Sequence, residues 1–111
     1  MARRKLRVDL HGFDVLSAVE LARTRVAEAW RNGYGEVELF HGAAYLEEGP
    51  RGGRGRIKFE LRRLVEEGQF DAFAERAQTW LRADSVVLTL KPNPRPRREA
   101  WSPEPRRAYL D

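Results

Sequence analysis

Residues 5–14 read KLRVDLHGFD. Leu6, Val8 and Leu10 alternate with Lys5, Arg7 and Asp9, the two-residue period of a strand with one face in the core and one in water. The run stops at His11-Gly12, and Asp14 supplies an N-cap. Beyond it Val15, Val19, Ala22, Val26, Ala29 and Trp30 recur along one stripe of a helix, which Asn32-Gly33 closes. Residues 36–41, EVELFH, alternate again, and His41 is followed by Gly42. Strand, helix and strand in close succession predict two parallel strands joined by a right-handed crossover. His11 and His41, the only two histidines, then emerge at the same edge of the sheet.

The rest of the chain extends this unit. Residues 42–55, GAAYLEEGPRGGRG, predict a long glycine-rich loop, basic at its end. A second helix begins near Arg56, with Ile57, Leu61, Leu64 and Val65 as its apolar stripe and Gly68 as its stop. FDAFA at 70–74 is expected as a short strand, with the start of a helix as the alternative. SVVLTL at 85–90 is a strand by its β-branched content. The expected fold class is α+β, an α/β sandwich of order β-α-β-α-β-β, with one mixed four-stranded sheet and two helices. Trp30 and Trp80 are expected in its core. Five of the six prolines fall between positions 92 and 105, so the end of the chain is expected as an extended arm pinned by Trp101 or Tyr109. The expected organisation is a domain over 1–91, with a basic arm at 1–5 and an inserted basic loop at 43–55, followed by a Pro/Arg-rich tail over 92–111.

A chain of 111 residues, 41% hydrophobic and 34% charged, suits one domain with a modest core. No apolar run approaches the roughly 20 residues that span a bilayer. The absence of cysteine excludes disulfides, thiolate zinc sites and cysteine nucleophiles. The expectation is a cytoplasmic monomer without a membrane partner. Lys and Arg outnumber Asp and Glu by 21 to 17. Most of the excess is arginine gathered at residues 3–7, 51–63 and 91–107, which suits forked contacts to phosphate.

The carboxyl edge of an open α/β sheet is where ligands bind, and helix N-termini there attract anions. Two histidines and Asp9 beside such a cradle can move protons at a phosphate ester. A histidine at a strand end is also a common solvated cap, and Asp9 can pair with Lys5 or Arg7. The residues alone leave both readings open. Tyr45 borders the same edge and can stack on a nucleotide.

VDLHGFD, then a helix, then EVELFHG, then GRGRIKFELRRL resembles the small MutS-related (Smr) family over about residues 6–91. That family carries an LDLHG motif on its first strand and HGxG after its second. Its domains resemble in fold the C-terminal domain of a bacterial translation initiation factor. They bind nucleic acid, and several nick DNA or cleave RNA. Val8 to Gly12 match the first motif with Val for Leu as the only change. His41 and Gly42 match the start of the second. Ala44 breaks the ungapped HGxG, and Gly53 takes the second glycine's place after an insertion over about 43–52.

The resemblance implies Asp9, His11 and His41 as reacting or orienting groups. It implies Gly12, Gly42, Gly53 and Gly55 around a phosphate cradle, with Arg51, Arg54, Arg56, Lys58 and Tyr45 as nucleic-acid contacts. The cofactor stays open: Asp9 can hold a divalent metal such as Mg²⁺, but one carboxylate and two histidines make a thin ligand set. The leading expectation is a stand-alone Smr-type endonuclease acting on DNA or RNA. The alternatives are a nucleic-acid-binding module without catalysis and a protein-interaction domain that docks through its proline-rich tail.

Overall fold

The structure, a computed structural model, describes residues 3–42 and 56–106. It contains β1 (Lys5–Asp9), α1 (Val15–Arg31), β2 (Glu36–Phe40), α2 (Arg56–Glu66), a 3₁₀ turn (Arg76–Gln78), β3 (Trp80–Leu81) and β4 (Ser85–Thr89). The sheet order is β1-β2-β4-β3. β1 and β2 run parallel, with Lys5 opposite Glu36 and Asp9 opposite Phe40. β4 is antiparallel to β2, and β3 to β4. The expected α+β class and element order therefore hold, with α1 as the crossover.

Strand parity decides what is buried. Val8, Leu10, Val37, Leu39, Val86, Leu88 and Leu90 join one apolar cluster with Ala18, Leu21, Ala22, Val26 and Ala29 of α1 and Ile57, Leu61, Leu64 and Val65 of α2. Each buried leucine or valine contributes roughly 1.5–3 kcal/mol. On the opposite face Lys5 pairs with Glu36 at 3.7 Å and with Glu38 at 3.2 Å, while Arg7 lies 3.9 Å from Glu38.

The ends of α1 follow its sequence. The Asp14 carboxylate accepts from the Ser17 N–H at 3.1 Å, and these hydrogen bonds from Ser17 lower its pKa. At the other end the Gly33 N–H donates to Trp30 O and the Tyr34 N–H to Ala29 O, the paired bonds of a Schellman stop. Gly33 has φ +84°, and a Cβ there would sit 2.9 Å from the Pro96 Cβ. Gly33→Ala is expected to cost about 1–2 kcal/mol, read as a lower midpoint in thermal unfolding. An unchanged midpoint would show that both turn and tail adapt freely.

Residues 70–74 are neither strand nor regular helix, which corrects the sequence expectation. The Phe73 and Ala74 N–H groups both donate to Phe70 O, so the segment turns. Phe70 and Ala74 fill the core, and Phe73 packs on Trp30 with ring centroids 5.4 Å apart. Only Ala74 bridges to the sheet, opposite Leu90. The third strand forms instead at Trp80–Leu81. Trp80 is not core: it is 62% exposed on β3, the short edge strand, where it lies opposite Val87.

The tail residues up to Arg106 lie along α1. The Asn93 side chain donates to Trp30 O at 2.8 Å, the Arg97 N–H to Arg31 O at 2.7 Å and the Glu99 N–H to Asn32 Oδ1 at 2.8 Å. Trp101 meets Tyr34 edge-on at 5.7 Å. Tyr109 lies outside the described residues.

Candidate functional site

Parallel pairing brings the carboxyl ends of β1 and β2 together. The Leu10 N–H donates to Phe40 O at 2.7 Å, one step past the last strand pair. Gly42 has φ +97°, and a Cβ there would lie 3.6 Å from the His11 Cβ. The two His-Gly ends are therefore neighbours.

Asp9 and His11 form the best-defined element of this edge. Asp9 Oδ1 accepts from the His11 backbone N–H at 3.1 Å and lies 2.6 Å from His11 Nδ1. With Nδ1–H donated to the carboxylate, Nε2 carries the lone pair of the neutral ring. The His11 ring meets Phe40 edge-on at 6.2 Å, and the Arg7 guanidinium covers Phe40 at 4.3 Å. Lys5 and Arg7 pair with Glu36 and Glu38. Both side chains of the Asp9–His11 pair are about half exposed, so an approaching ligand can reach them.

His41 is placed differently. The register that sets Asp9 opposite Phe40 puts His41 at the parity of Leu10, on the side of the helices. Its backbone N–H donates to Asp84 O at 2.9 Å, and its Nδ1 lies 3.1 Å from Gly42 O. Nε2 is buried without a hydrogen-bond partner among the described residues. Burial, then the positive charges of Lys58 and Arg62, push its pKa down to about 4, against the opposing pull of Gly42 O and Asp84. His41 is thus a neutral ring at physiological pH.

This carries a pH consequence. Folded His41 releases its proton near pH 4, and an unperturbed histidine near 6.5. Between these values the unfolded chain holds more protons, so stability rises with pH across the window. The contribution is complete above about 6.5 and lost below about 4. His41→Gln is expected to flatten the rise, by about 1–2 kcal/mol across the window once solvent screening of the half-buried ring is discounted. Thermal midpoints of both proteins at several pH values check this; parallel curves would show that His41 stays solvated.

Cations lie at this edge from α2 and from the turn after β3. Arg56 opens α2, at the end where the helix dipole adds a partial positive charge. Lys58 and Arg62 are one turn apart and both act on His41. Arg62 Nη2 donates to Arg82 O at 3.2 Å, and the Arg82 guanidinium lies 5.2 Å from the exposed Trp80 ring. Arg62, Arg82, Asp84 and Trp80 escaped the sequence reading as members of this edge. Arg62 was detectable, because it shares a helix face with Lys58. Gly12 follows His11 in the turn at this edge. Tyr45, Arg51, Gly53, Arg54 and Gly55 lie outside the described residues. Among the described residues no three His, Asp or Glu side chains converge on a point where they could hold a metal ion, and no helix is long and apolar enough to cross a membrane.

No family model and no curated protein matches the sequence. Among solved structures, the Smr domain of Thermus thermophilus MutS2 matches at a TM-score of 0.59 and 22% identity, over 78% of this chain and 99% of that one. The chain therefore has an Smr-like fold.

Proposed function

We propose that the chain binds nucleic acid and breaks its phosphodiester backbone as an Smr-type endonuclease, with Asp9 and His11 at the reacting centre. The observation that carries this is the 2.6 Å Asp9–His11 contact at a sheet edge rimmed by cations. The VDLHG motif and the likeness to the MutS2 Smr domain support it. His11 Nε2 takes the proton of the attacking oxygen, from water or a ribose 2′-hydroxyl, as that oxygen bonds to phosphorus and the P–O bond to the leaving sugar oxygen breaks; the leaving oxygen takes a proton from solvent, while Asp9 holds the ring and stabilises its charged form. Arg56, Lys58 and Arg62 stabilise the charge that grows on the phosphate oxygens. Neutral His41 and Gly42 shape the floor beneath. Arg51, Arg54 and Tyr45, with Gly53 and Gly55, are the further nucleic-acid contacts of this reading.

The test incubates the purified chain with labelled single-stranded RNA, structured RNA and supercoiled DNA, in Mg²⁺ or in EDTA. Strand breaks are expected on at least one substrate, and the EDTA arm shows whether a metal takes part. Binding without breaks on all three would replace the nuclease with a binding module.

A further inference from the structure

We propose that the tail builds a second nucleic-acid contact surface, at the end of the sheet opposite His11. It rests on the nucleic-acid reading above and uses none of that site's residues. Its two parts are adjoining hollows on either side of Pro96 and Arg97. One, of about 390 Å³, is lined by Arg4, Tyr34, Arg98 and Trp101. The other, of about 430 Å³, is lined by Arg31, Arg95 and Asn93.

Charge sets the class of ligand. Arg4, Arg31, Arg95, Arg97 and Arg98 line these hollows against one carboxylate, Glu99. Glu99 is already engaged by Arg31 at 3.0 Å and Arg97 at 3.4 Å. The negative end of α1 also points here, but its last carbonyls are occupied. Trp30 O accepts from Asn93, Arg31 O from the Arg97 N–H and Asn32 O from Arg4. The excess positive charge is therefore left facing solvent, and it fits a polyanion.

The aromatic groups narrow the class to nucleic acid. The Arg4 guanidinium stacks on Tyr34 at 4.2 Å, and Trp101, 39% exposed, stands edge-on to the same ring. Arginine forks bind phosphates, and flat aromatic or guanidinium faces take bases. The Gly35 N–H donates to Arg4 O at 2.8 Å, which fixes this surface at the amino ends of β1 and β2. His11 stands at their carboxyl ends, roughly 20 Å away along the strand direction. One nucleic acid touching both surfaces spans about six base pairs of duplex. The tail surface contributes affinity and register, and the His11 edge contributes the chemistry.

The test compares the full chain with an Arg95→Gln/Arg97→Gln/Arg98→Gln variant. Affinity is read by fluorescence anisotropy on a labelled single strand long enough to reach both surfaces, between about 50 and 200 mM salt. The expected variant binds about tenfold more weakly at low salt, and its log–log salt slope falls by about 2, at roughly 0.7 per lost phosphate contact. Its unfolding midpoint and its kcat at saturating substrate stay unchanged. Should the triple change disturb folding, Arg98→Gln alone is expected to lower the slope by about 0.7. A folded variant with wild-type affinity and slope overturns the second surface, whether or not the wild type cleaves. Binding lost in the variant while the wild type breaks no strand keeps the surface and sinks the nuclease. A wild type that ignores nucleic acid but binds anionic vesicles or acidic peptides through these arginines overturns the proposal.

Discussion

Glu28→Ala is expected to destabilise the fold by about 3–5 kcal/mol, a fall of about 20 °C in the unfolding midpoint. Arg25 and Glu28 are 9% and 5% exposed. Arg25 Nη1 donates to Glu28 Oε1 at 2.7 Å, and Arg25 Nη2 to Ser102 O at 2.7 Å. The other carboxylate oxygen accepts from the Ser102 N–H at 2.9 Å and the Ser102 hydroxyl at 2.6 Å. The tail thus closes a small polar knot over α1. Burial opposes ionisation of Glu28, but the Ser102 bonds and Arg25 outweigh it and hold its pKa below the usual 4.5. Its stabilisation is therefore present above about pH 4.5 and lost as pH falls through the lower folded value.

Alanine at position 28 leaves the Arg25 charge buried without its carboxylate and strands both Ser102 donors. The direction depends on breaking the pair, because replacing both charges with apolar groups of similar size is often nearly neutral. Arg25→Met/Glu28→Leu is therefore expected to recover the part due to the buried charge, but not the part due to the Ser102 donors, which it still leaves without an acceptor. Thermal unfolding of the two variants, with Trp101 fluorescence reporting tail release, decides the matter. A fall of only a few degrees in Glu28→Ala would show that water reaches the pair.

That knot also shows where a sequence stops being readable. The contact between Glu28 and Ser102 joins positions 74 residues apart, and no local pattern announces it. The clue lay in helix spacing: Leu21, Arg25 and Ala29 fall at four-residue steps, so Arg25 stands in the buried stripe. The long elements were plain, because β1 and β2 alternate, β4 is a β-branched run buried on both faces, and α1 carries its own cap and stop. β3 was not, since two residues are too short for alternation to show. FDAFA drew the strand reading instead, its aromatics three apart because the segment turns around the Phe70 carbonyl.

The site was legible in the same uneven way. Asp9 and His11 are two residues apart, and their contact is local. The two histidines differ by strand parity. His41 shares the parity of Leu10 and is half-buried with its Nε2 enclosed, whereas His11 stands two residues past the end of β1, in the turn. Similar sequence contexts thus place an exposed, carboxylate-bound ring and a half-buried, neutral one at the same edge.

His11→Ala is expected to lower strand cleavage by 10²- to 10⁴-fold in kcat, the range typical of a lost general base, while binding changes by no more than a few-fold. The separation follows from geometry. The proposed phosphate contacts come from Arg56, Lys58 and Arg62 on α2, whereas His11 stands in the turn after β1. The folding cost is small, because the ring is half exposed. Asp9→Ala removes the acceptor that holds Nδ1 and costs less, about tenfold or more, since the ring keeps its reactive nitrogen but loses its orientation. The two residues act as one unit, so the double variant is expected to be no slower than His11→Ala alone. Single-turnover cleavage with saturating enzyme reads the chemical step without the binding step. If His11→Ala cleaves at the wild-type rate, the reacting group is another residue. If the Asp9 and His11 losses simply multiply, the carboxylate acts on the phosphate or a metal independently of the ring it touches.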